Sequence, residues 1–355
     1  MDLVEVGWGE DWIRTFAPLA MQGLAPGRVI RLNGPTCTVL AAPGELTGEL
    51  AGRLRHRATS AAKLPAVGDW VGLRLLPGEE RAVVEEVLPR RTCFSRRAAG
   101  GRDDEQVLAA NLDTVFLICG LDRDFNLRRL ERYLTLAWDS GAAPVAVLNK
   151  ADLCDRLAER VAQVEGLGGA FPVHPVSATA MTGLEPLRPY LGPGRTVALL
   201  GSSGVGKSTL LNALIGREVA RVGALRTGDG KGRHTTTHRE LILLPGGGAL
   251  IDTPGMRELQ LWADSQSLGD TFEEIEAFAG ECRFTDCTHL SEPGCAVLLA
   301  LREGRLSATR LESWRKQERE LRHLASRQGD QEARRQIKER GRRIALWARQ
   351  WASEK

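Results

Sequence analysis

A glycine-rich loop followed by lysine and serine is the segment with the clearest chemistry in this chain. Residues 201–208 read Gly-Ser-Ser-Gly-Val-Gly-Lys-Ser and follow the apolar run at residues 196–200. A loop of this kind between a strand and a helix encloses phosphate oxygens with backbone N–H groups, at the positive end of the helix dipole. Its lysine neutralises the terminal phosphates and its serine hydroxyl binds Mg²⁺. The expected phosphate-binding residues are Gly201, Ser202, Ser203, Gly204, Val205, Gly206, Lys207, Ser208 and Thr209.

A second motif indicates which base accompanies the phosphates. Asn149, Lys150 and Asp152 follow an apolar run that is expected to be a strand. The Asp152 carboxylate can accept two hydrogen bonds, from the ring N–H and the exocyclic amine of guanine, whereas adenine offers no such pair of donors. Ser177 and Ala178 end the next expected strand, where backbone N–H groups can meet the guanine oxygen. The two segments together predict a site for GTP and GDP.

Two further segments match the parts of a GTPase that respond to the γ-phosphate. Asp252 is expected to hold the outer shell of the Mg²⁺ ion, and the N–H of Gly255 to reach the γ-phosphate. Residues 228–237 are polar and glycine-rich, as is typical of a first switch, and contain three consecutive threonines. We favour Thr236 as the Mg²⁺ ligand, although spacing does not separate it from its neighbours.

The residue that positions the attacking water is the open point of the chemistry. Met256 follows Gly255, where many GTPases place a glutamine that orients the water. A thioether cannot do so, and hydrolysis by the isolated protein is therefore expected to be slow. His234 or a group from a partner is the candidate, and His234 is equally compatible with a hydrogen-bonding role in the switch. The catalytic candidates are thus His234 and Lys207.

Four metal-ligating side chains lie close together after the GTPase motifs. Cys282, Cys287, His289 and Cys295 are separated by four, one and five residues. Three sulfurs and one imidazole form the closed tetrahedral set of a structural Zn²⁺ site, with no position open for water. The connecting residues are too polar to fold unaided, which favours one structural Zn²⁺. A redox pair is the alternative.

The elements that must position these residues begin with a parallel sheet. From about residue 105, apolar runs alternate with helical stretches such as residues 127–138, a pattern typical of a parallel sheet covered on both faces. Six strands are expected. Five lie at residues 114–118, 144–148, 196–200, 241–244 and 249–251, and a further strand, third in chain order, ends at residues 176–177.

Residues 26–92 contain short alternating strands separated by Asn-Gly and Pro-Gly turns, which predicts a small antiparallel barrel of the oligonucleotide-binding (OB) kind. Trp70 is its only aromatic residue, so base stacking is not expected. Contacts to RNA phosphates, or a purely structural barrel, are the two interpretations. The basic candidates are Arg31, Arg53, Arg55, Arg57 and Lys63.

The order of the motifs is unusual, because the base-binding residues precede the phosphate loop, whereas an ordinary GTPase has the phosphate loop first. The central domain is therefore expected to be a circularly permuted α/β P-loop GTPase domain, within a multidomain chain. The expected divisions are an N-terminal extension at 1–25, the OB-like β-barrel at 26–92, the GTPase domain at 105–265, and a zinc-binding, basic α-helical domain at 270–355.

The net charge of +3 conceals a basic tail, since residues 301–355 hold 16 Lys and Arg against 8 Asp and Glu. Such a tail fits an anionic partner such as RNA, or a solvated helix face. Leu311, Trp314, Leu321 and Leu324 have helical spacing and are expected to pack on the body. The scattered cysteines do not suggest a disulfide scaffold. Without an apolar run near the length of a membrane span, we expect a monomeric cytoplasmic protein with no membrane partner.

The motif order, the barrel in front and the Cys/His set behind together resemble the circularly permuted, ribosome small-subunit-dependent GTPase A family of bacteria, over about residues 25–300. The resemblance implies a GTPase that binds the immature small ribosomal subunit and its rRNA through the barrel and zinc domains. It further implies that the subunit stimulates hydrolysis of GTP to GDP and phosphate, coupled to release. The lack of a catalytic glutamine at Met256 is in keeping with the family.

Two other classes of protein would explain part of the sequence. A P-loop kinase acting on a small molecule would explain Lys207 and Ser208, but not the guanine-binding Asp152. An RNA-binding zinc protein with a regulatory, barely hydrolytic nucleotide site would explain the basic tail and the zinc ligands, but not four intact nucleotide elements.

Overall fold

The structure is a computed structural model that describes residues 2–97, 105–168, 170–216, 240–252, 268, 271–284, 287–319 and 322. These residues form a helical N-terminal segment, a β-barrel, a β-hairpin, an α/β domain and a helical C-terminal module. Within these residues, no helix combines the length and the apolar content that crossing a membrane requires.

The N-terminal segment packs on the barrel through aromatic rings. A 3-10 helix (Leu3–Val6) precedes α1 (Glu10–Ala20), which has two acidic residues in its first turn, where the helix dipole favours them. Trp12 and Phe16 are one helical turn apart and both buried. The Trp12 ring lies 6.1 Å from the ring of Trp70 on the barrel. The first residues of the chain are thus part of the core.

The barrel consists of β1 (Ala25–Asn33), β2 (Thr36–Ala41), β3 (Gly44–Leu50), β4 (Trp70–Leu75) and β5 (Arg81–Val87), with α2 (Gly52–Arg57) between β3 and β4. The strand order is β1-β2-β3-β5-β4, and pairing of β4 with β1 closes the barrel. Its interior is apolar, with Val29, Val39, Val71 and Val84 fully buried.

The expectation of a wholly antiparallel barrel is wrong for one pair of strands, because β3 and β5 run parallel. Alternation of apolar and polar residues reports which face of a strand is buried, but it carries no information about strand direction. A hairpin of β6 (Cys93–Arg97) and β7 (Glu105–Ala110) then links the barrel to the next domain. It was not expected from the sequence.

The α/β domain contains β8 (Thr114–Gly120), α3 (Leu127–Asp139), β9 (Ala143–Asn149), α4 (Leu157–Glu165), β10 (Val173–Pro175), β11 (Thr196–Gly201), α5 (Lys207–Ile215), β12 (Glu240–Leu243) and β13 (Ala249–Asp252). Its strand order is β10-β9-β8-β11-β13-β12, and only β12 is antiparallel to its neighbour. All six expected strands and the expected helix α3 are confirmed, although β10 ends at Pro175 rather than at 176–177.

Both faces of this sheet are covered, as a parallel sheet requires. On β8, Val115 and Leu117 belong to the core on one face, which continues into the barrel and the N-terminal segment. Phe116 and Ile118 point to a second core beside α5. The barrel also continues the sheet directly, since Arg31 of β1 pairs with Glu240 of β12.

The C-terminal module consists of α6 (Glu273–Ala279), α7 (Ala296–Arg302) and α8, which is helical over residues 308–319. Its small core includes Phe272, Ile275 and Val297. The expectation that Leu311 and Trp314 pack inward is confirmed, because both are buried there. Leu321, Leu324 and the arginines after them lie outside the described residues.

A buried arginine joins the N-terminal segment, the barrel and the α/β domain. Arg28 of β1 is 1% exposed and donates to the Val6 carbonyl, to the Asn111 carbonyl at 3.2 Å and to Thr196 Oγ1 at 2.9 Å. Its guanidinium stacks on Trp70 at 5.2 Å. Burial lowers the pKa of Arg28 to about 10, so the side chain is still charged at neutral pH.

A second buried arginine joins the C-terminal module to α3. Arg310 of α8 donates to Glu131 Oε1 of α3 at 2.8 Å and to Glu274 Oε1 of α6 at 2.5 Å. It also donates to the Thr271 carbonyl at 2.5 Å and lies over the ring of Phe272 at 4.3 Å. Three helices from two modules therefore meet at one guanidinium.

Replacing Arg310 with leucine should strongly destabilise the contact between the C-terminal module and α3. The Arg310→Leu change leaves the buried Glu131 carboxylate without its cation, and loss of one partner of a buried pair costs about 3 kcal/mol of unfolding free energy. Urea denaturation followed by tryptophan fluorescence measures the change. The matched control is Arg302→Leu at an exposed position of α7, with an expected effect within about 0.5 kcal/mol. Equal unfolding free energies for the two variants would contradict the assignment.

Candidate functional site

The loop that is expected to bind phosphates connects β11 to α5. Gly204 and Gly206 have φ angles of 82° and 93°, in the left-handed region that favours glycine. A Cβ atom on Gly206 would lie 2.5 Å from Asn149 Nδ2, so the close approach of these two segments requires glycine. The Leu210 N–H donates to the Gly206 carbonyl at 2.8 Å and starts the helix. The strand, loop and helix thus have the arrangement that the motif requires.

The lysine of the motif lies across its own loop. Lys207 Nζ donates to the Gly201 carbonyl at 2.8 Å and to the Ser202 carbonyl at 2.6 Å. Ser208 and Thr209 are half-buried in the first turn of α5. The ammonium group is therefore already held at the loop that would receive phosphates.

Asn149 connects the phosphate loop to the two segments that are expected to bind the base. Its side chain is 2% exposed at the end of β9. Asn149 Nδ2 donates to the Val205 carbonyl at 2.8 Å, and Asn149 Oδ1 accepts from the Ala178 N–H at 3.1 Å. One amide thereby brings together segments that are up to 56 residues apart in the chain.

The next residue, Lys150, also reaches the phosphate loop. It adopts a left-handed conformation with φ of 64°, which is uncommon for a residue with a side chain. Its ammonium donates to the Gly204 carbonyl at 2.8 Å and to Asp122 Oδ2 at 2.6 Å. The Lys150 ammonium lowers the pKa of the Asp122 carboxyl.

The remaining residues that are expected to bind the base lie at the same edge of the sheet. Asp152 is exposed, in a 3-10 turn (Ala151–Leu153) directly after Lys150. Ser177 is buried, and its Oγ accepts from the Ala180 N–H at 3.0 Å, which shapes the turn after β10. The carboxyl ends of β9, β10 and β11 therefore bring together the residues that the sequence assigned to base and phosphates.

The residues expected to respond to the γ-phosphate are described only in part. Asp252 is the last residue of β13, which pairs in parallel with β11, so its backbone lies at the same edge of the sheet as the phosphate loop. Thr236, His234, Gly255 and Met256 lie outside the described residues.

Two carboxylates beside the phosphate loop were missed in the sequence analysis. Asp122 and Asp124 lie in the loop between β8 and α3, and Ser202 Oγ donates to Asp124 Oδ2 at 2.5 Å. No motif marks this loop. Its position directly after a strand of the sheet was the available signal, since ligands bind beyond the carboxyl ends of parallel strands.

The four metal-ligand candidates come together in the C-terminal module. One ligand atom from each of Cys282, Cys287, His289 and Cys295 lies within 4.8 Å of all the others. His289 Nδ1 lies 3.6 Å from Cys282 Sγ and 3.4 Å from Cys295 Sγ. The two sulfurs lie 3.8 Å apart. The cluster is thus a site that could hold one metal ion.

The surroundings of the cluster hold its ligands in place. His289 has a left-handed φ of 56°, its carbonyl accepts from Arg315, and its ring meets Trp314 at 5.5 Å. Glu292 folds back on the ligand loop and accepts from the N–H groups of Thr288 at 3.0 Å and Leu290 at 2.9 Å. The Thr288 hydroxyl and the N–H groups of Glu292 itself, Ser291 and Thr288 lower the pKa of Glu292 to about 2.

The basic residues of the barrel are mostly engaged with carboxylates. Arg31 pairs with Glu240 of β12, and Arg53 pairs with the buried Glu85 at 2.9 Å. Trp70 is 1% exposed, so it offers no stacking surface. The barrel can contact phosphates through exposed arginines, but not bases through aromatic rings.

Comparison with known proteins finds two GTPase family models. A family model described as "RsgA GTPase" matches residues 87–262. A second model, described as "50S ribosome-binding GTPase", matches residues 196–331, which begin at the strand before the phosphate loop.

Individual relatives extend the similarity to nearly the whole chain. The "Small ribosomal subunit biogenesis GTPase RsgA" of Opitutus terrae is 51% identical over 336 residues, or 92% of each chain. The crystal structure of YjeQ from Thermotoga maritima is 29% identical, with a TM-score of 0.63, over 84% of this chain and 98% of that one. That of YloQ, described as "a circularly permuted GTPase", shares the fold at 22% identity and a TM-score of 0.60, over 84% of this chain and 96% of that one. The phosphate loop, the base-binding segments that precede it and this extent of identity together place the chain in the RsgA GTPase family.

Proposed function

We propose that this protein binds the small ribosomal subunit and assists its late maturation, hydrolysing GTP to GDP and phosphate when the subunit stimulates it. The observation that carries the proposal is the permuted guanine-nucleotide site, in a chain 51% identical to a GTPase whose name assigns it to small-subunit biogenesis. A small-molecule kinase is set aside, since family membership and Asp152 both favour a GTPase. The alternative is a regulatory nucleotide site that barely hydrolyses GTP. The rate of GTP hydrolysis in the presence of small subunits distinguishes the two.

Within the nucleotide site, each described segment has a proposed role. The exposed Asp152 carboxylate accepts from the ring N–H and amine of guanine. The Ala178 N–H now donates to Asn149 Oδ1 at 3.1 Å, and a guanine oxygen would share or replace that acceptor. Lys207 would exchange its two loop carbonyls for phosphate oxygens, because an anion is the stronger acceptor for an ammonium group.

The residues expected around Mg²⁺ and water complete the proposal. Ser208 and Thr236 would ligate the ion, with Asp252 in its outer shell and Gly255 at the γ-phosphate. The ion would neutralise charge on the phosphates. With Met256 in place of a glutamine, His234 or a group of the ribosomal subunit would orient the attacking water. A weakly active isolated enzyme follows from this arrangement.

We propose zinc as the ion of the Cys282, Cys287, His289 and Cys295 cluster. A tetrahedral Zn²⁺ with bonds of about 2.3 Å to sulfur and about 2.0 Å to nitrogen places two sulfurs about 3.8 Å apart and sulfur about 3.5 Å from nitrogen. The sulfur-to-sulfur distance here is 3.8 Å, and the two sulfur-to-nitrogen distances are 3.6 and 3.4 Å. The ion would fix the ligand loop against α7.

The anionic partner of the proposed function is rRNA. Exposed cations of the barrel such as Arg55, Arg57 and Lys63 are available for phosphate contacts, although Arg57 lies 4.0 Å from Glu86. A role at the ribosome also supports a cytoplasmic location. The monomeric state and the domain divisions of the sequence analysis stay predictions.

Changing Asp152 to asparagine should change the base preference. The asparagine amide donates to the 2-oxygen of xanthine, whereas it cannot accept both guanine donors. We expect GDP affinity to fall about 100-fold, as loss of two charge-assisted hydrogen bonds implies, while XDP affinity rises. Titration calorimetry with both nucleotides measures the exchange. Asp155→Asn, at an exposed aspartate three residues further along, is the matched control, and unchanged GDP binding by Asp152→Asn would overturn the assignment.

GTP hydrolysis by the purified protein should be slow alone and accelerate strongly with small ribosomal subunits and Mg²⁺. Lys207→Ala is the blank, because it removes the cation expected to neutralise the terminal phosphates. Phosphate release is the measurement, and large ribosomal subunits at equal concentration are the control. A slow rate of hydrolysis that does not respond to small subunits would contradict the small subunit as the partner. The proposed nucleotide site would not be affected by that result.

Metal analysis of the purified protein should find about one zinc ion per chain, as a closed four-ligand site predicts. Cys295→Ser removes a buried ligand at the start of α7 and should lower the zinc content several-fold. Cys154→Ser, at a cysteine outside the cluster, should leave it unchanged. Equal zinc content in the two variants, or another metal in the wild type, would contradict the assignment.

A further inference from the structure

The loop between β8 and α3, residues 121–126, contacts the nucleotide site at three places. The Leu121 N–H donates to the Asn149 carbonyl at 2.8 Å, which fixes the loop beside the end of β9. Beyond that point, Asp122 faces Lys150 and Asp124 faces Ser202. None of the motifs that identify the site includes this loop.

Asp122 holds Lys150 with one carboxylate oxygen and its own loop with the other. Oδ2 accepts from Lys150 Nζ at 2.6 Å, and Oδ1 accepts from the Asp124 N–H at 3.0 Å. Gly120 leaves the room for this conformation, since a Cβ atom there would lie 2.8 Å from Asp122 Oδ1. The Lys150 ammonium, which also donates to Gly204, is thereby fixed between the carboxylate and the phosphate loop.

Asp124 connects the phosphate loop to the first turn of α3. Its Oδ2 accepts from Ser202 Oγ at 2.5 Å and pairs with Arg129 at 2.7 Å. The Arg129 N–H is in turn accepted by Asn126 Oδ1 at 3.0 Å, the N-cap of α3. The second residue of the phosphate loop is thus anchored to a helix that carries none of the nucleotide motifs.

The Asp122–Lys150 and Asp124–Arg129 pairs differ from fully exposed surface ion pairs, which contribute little to stability. The four charged side chains are only 27–31% exposed. Each aspartate also has a second partner that fixes its orientation, so the geometry exists before any ligand arrives. Groups ordered in advance lose less conformational freedom when a ligand binds.

We propose that Asp122 and Asp124 are positioning residues for the guanine nucleotide, Asp122 by holding the Lys150 ammonium against the phosphate loop and Asp124 by fixing that loop through Ser202. This inference rests on the proposed function, since it concerns the same nucleotide site. Neither carboxylate touches the nucleotide. Each acts through a residue of the site.

GDP affinity of four single variants and two double variants tests the inference. Asp122→Asn weakens the bond to Lys150, and Asp124→Asn or Ser202→Ala weakens the bond at the phosphate loop. Each should lower GDP affinity about tenfold, since charge-assisted hydrogen bonds are the strong ones. The fourth single variant, Lys150→Ala, is the background for the first double variant. In steady-state hydrolysis, the aspartate variants should raise KM for GTP and leave kcat within about twofold, because the interaction concerns binding.

The double variants separate positioning from a general effect on structure. Asp122→Asn should have no further effect on GDP affinity when Lys150 is already alanine, and Asp124→Asn none when Ser202 is already alanine. Glu185→Gln is the matched control for the loss of charge, at a carboxylate 81% exposed and paired with Arg188 on the same 3-10 helix. It should leave GDP affinity unchanged. Thermal midpoints without nucleotide show which variants are folded, and if Asp124→Asn is not, Ser202→Ala alone tests that bond.

The outcomes are distinct. Wild-type protein that does not bind GDP overturns the proposed function and this inference with it. Wild-type protein that binds GDP, with folded aspartate variants of equal affinity, overturns this inference alone. Additive losses in the double variants also overturn it, since they would mean that the aspartates act independently of Lys150 and Ser202.

Discussion

Parallel pairing of β8 with β11 is the constraint on which the rest of the nucleotide site depends. The register runs from Thr114 opposite Val197 to Ile118 opposite Gly201, and it joins strands about 80 residues apart in the chain. Since parallel strands end at the same edge, the loop after β8 and the phosphate loop after β11 must lie together. The circular permutation changes the order of these loops in the chain without changing the edge at which they meet.

Two buried arginines, Arg28 and Arg310, each connect a different part of the chain to the α/β domain. Arg28 bonds at Asn111 and Thr196, near the amino ends of β8 and β11, and so lies at the edge opposite the phosphate loop. Arg310 bonds to Glu131 on α3, two residues beyond Arg129. The C-terminal module therefore lies on the helix whose first turn is tied to the phosphate loop through Asp124.

The barrel is tied to the other end of the α/β domain. Its strand β1 pairs with Glu240, which lies opposite Asp252 across β12 and β13. Asp252 is the residue expected near Mg²⁺. The barrel thus continues from the β12–β13 pair that carries Asp252, and the metal-ligand module lies on α3, the helix that follows β8 of the same sheet.

The sequence by itself determined the chemistry and the kinds of element. Glycine at 204 and 206 reports a backbone that only glycine adopts easily. The Asp152 carboxylate has the hydrogen-bonding capacity expected of a group that selects guanine, and three cysteines with one histidine form a candidate metal-ligand set. These properties belong to single residues and to short spacing. Apolar runs likewise predicted all six strands of the α/β sheet, because a strand that is buried on both faces consists almost entirely of apolar residues.

Only the tertiary structure decided which distant segments meet. Four features depend on pairs of residues that are far apart in the chain. They are the strand direction in the barrel, the β6–β7 hairpin, the contacts of Arg310 with α3 and α6, and the contacts of Asp122 and Asp124. An aspartate after a strand looks the same in sequence whether it faces solvent or a lysine 28 residues away. Its role is set by the packing of both segments against a shared sheet, and that packing is a property of the whole fold.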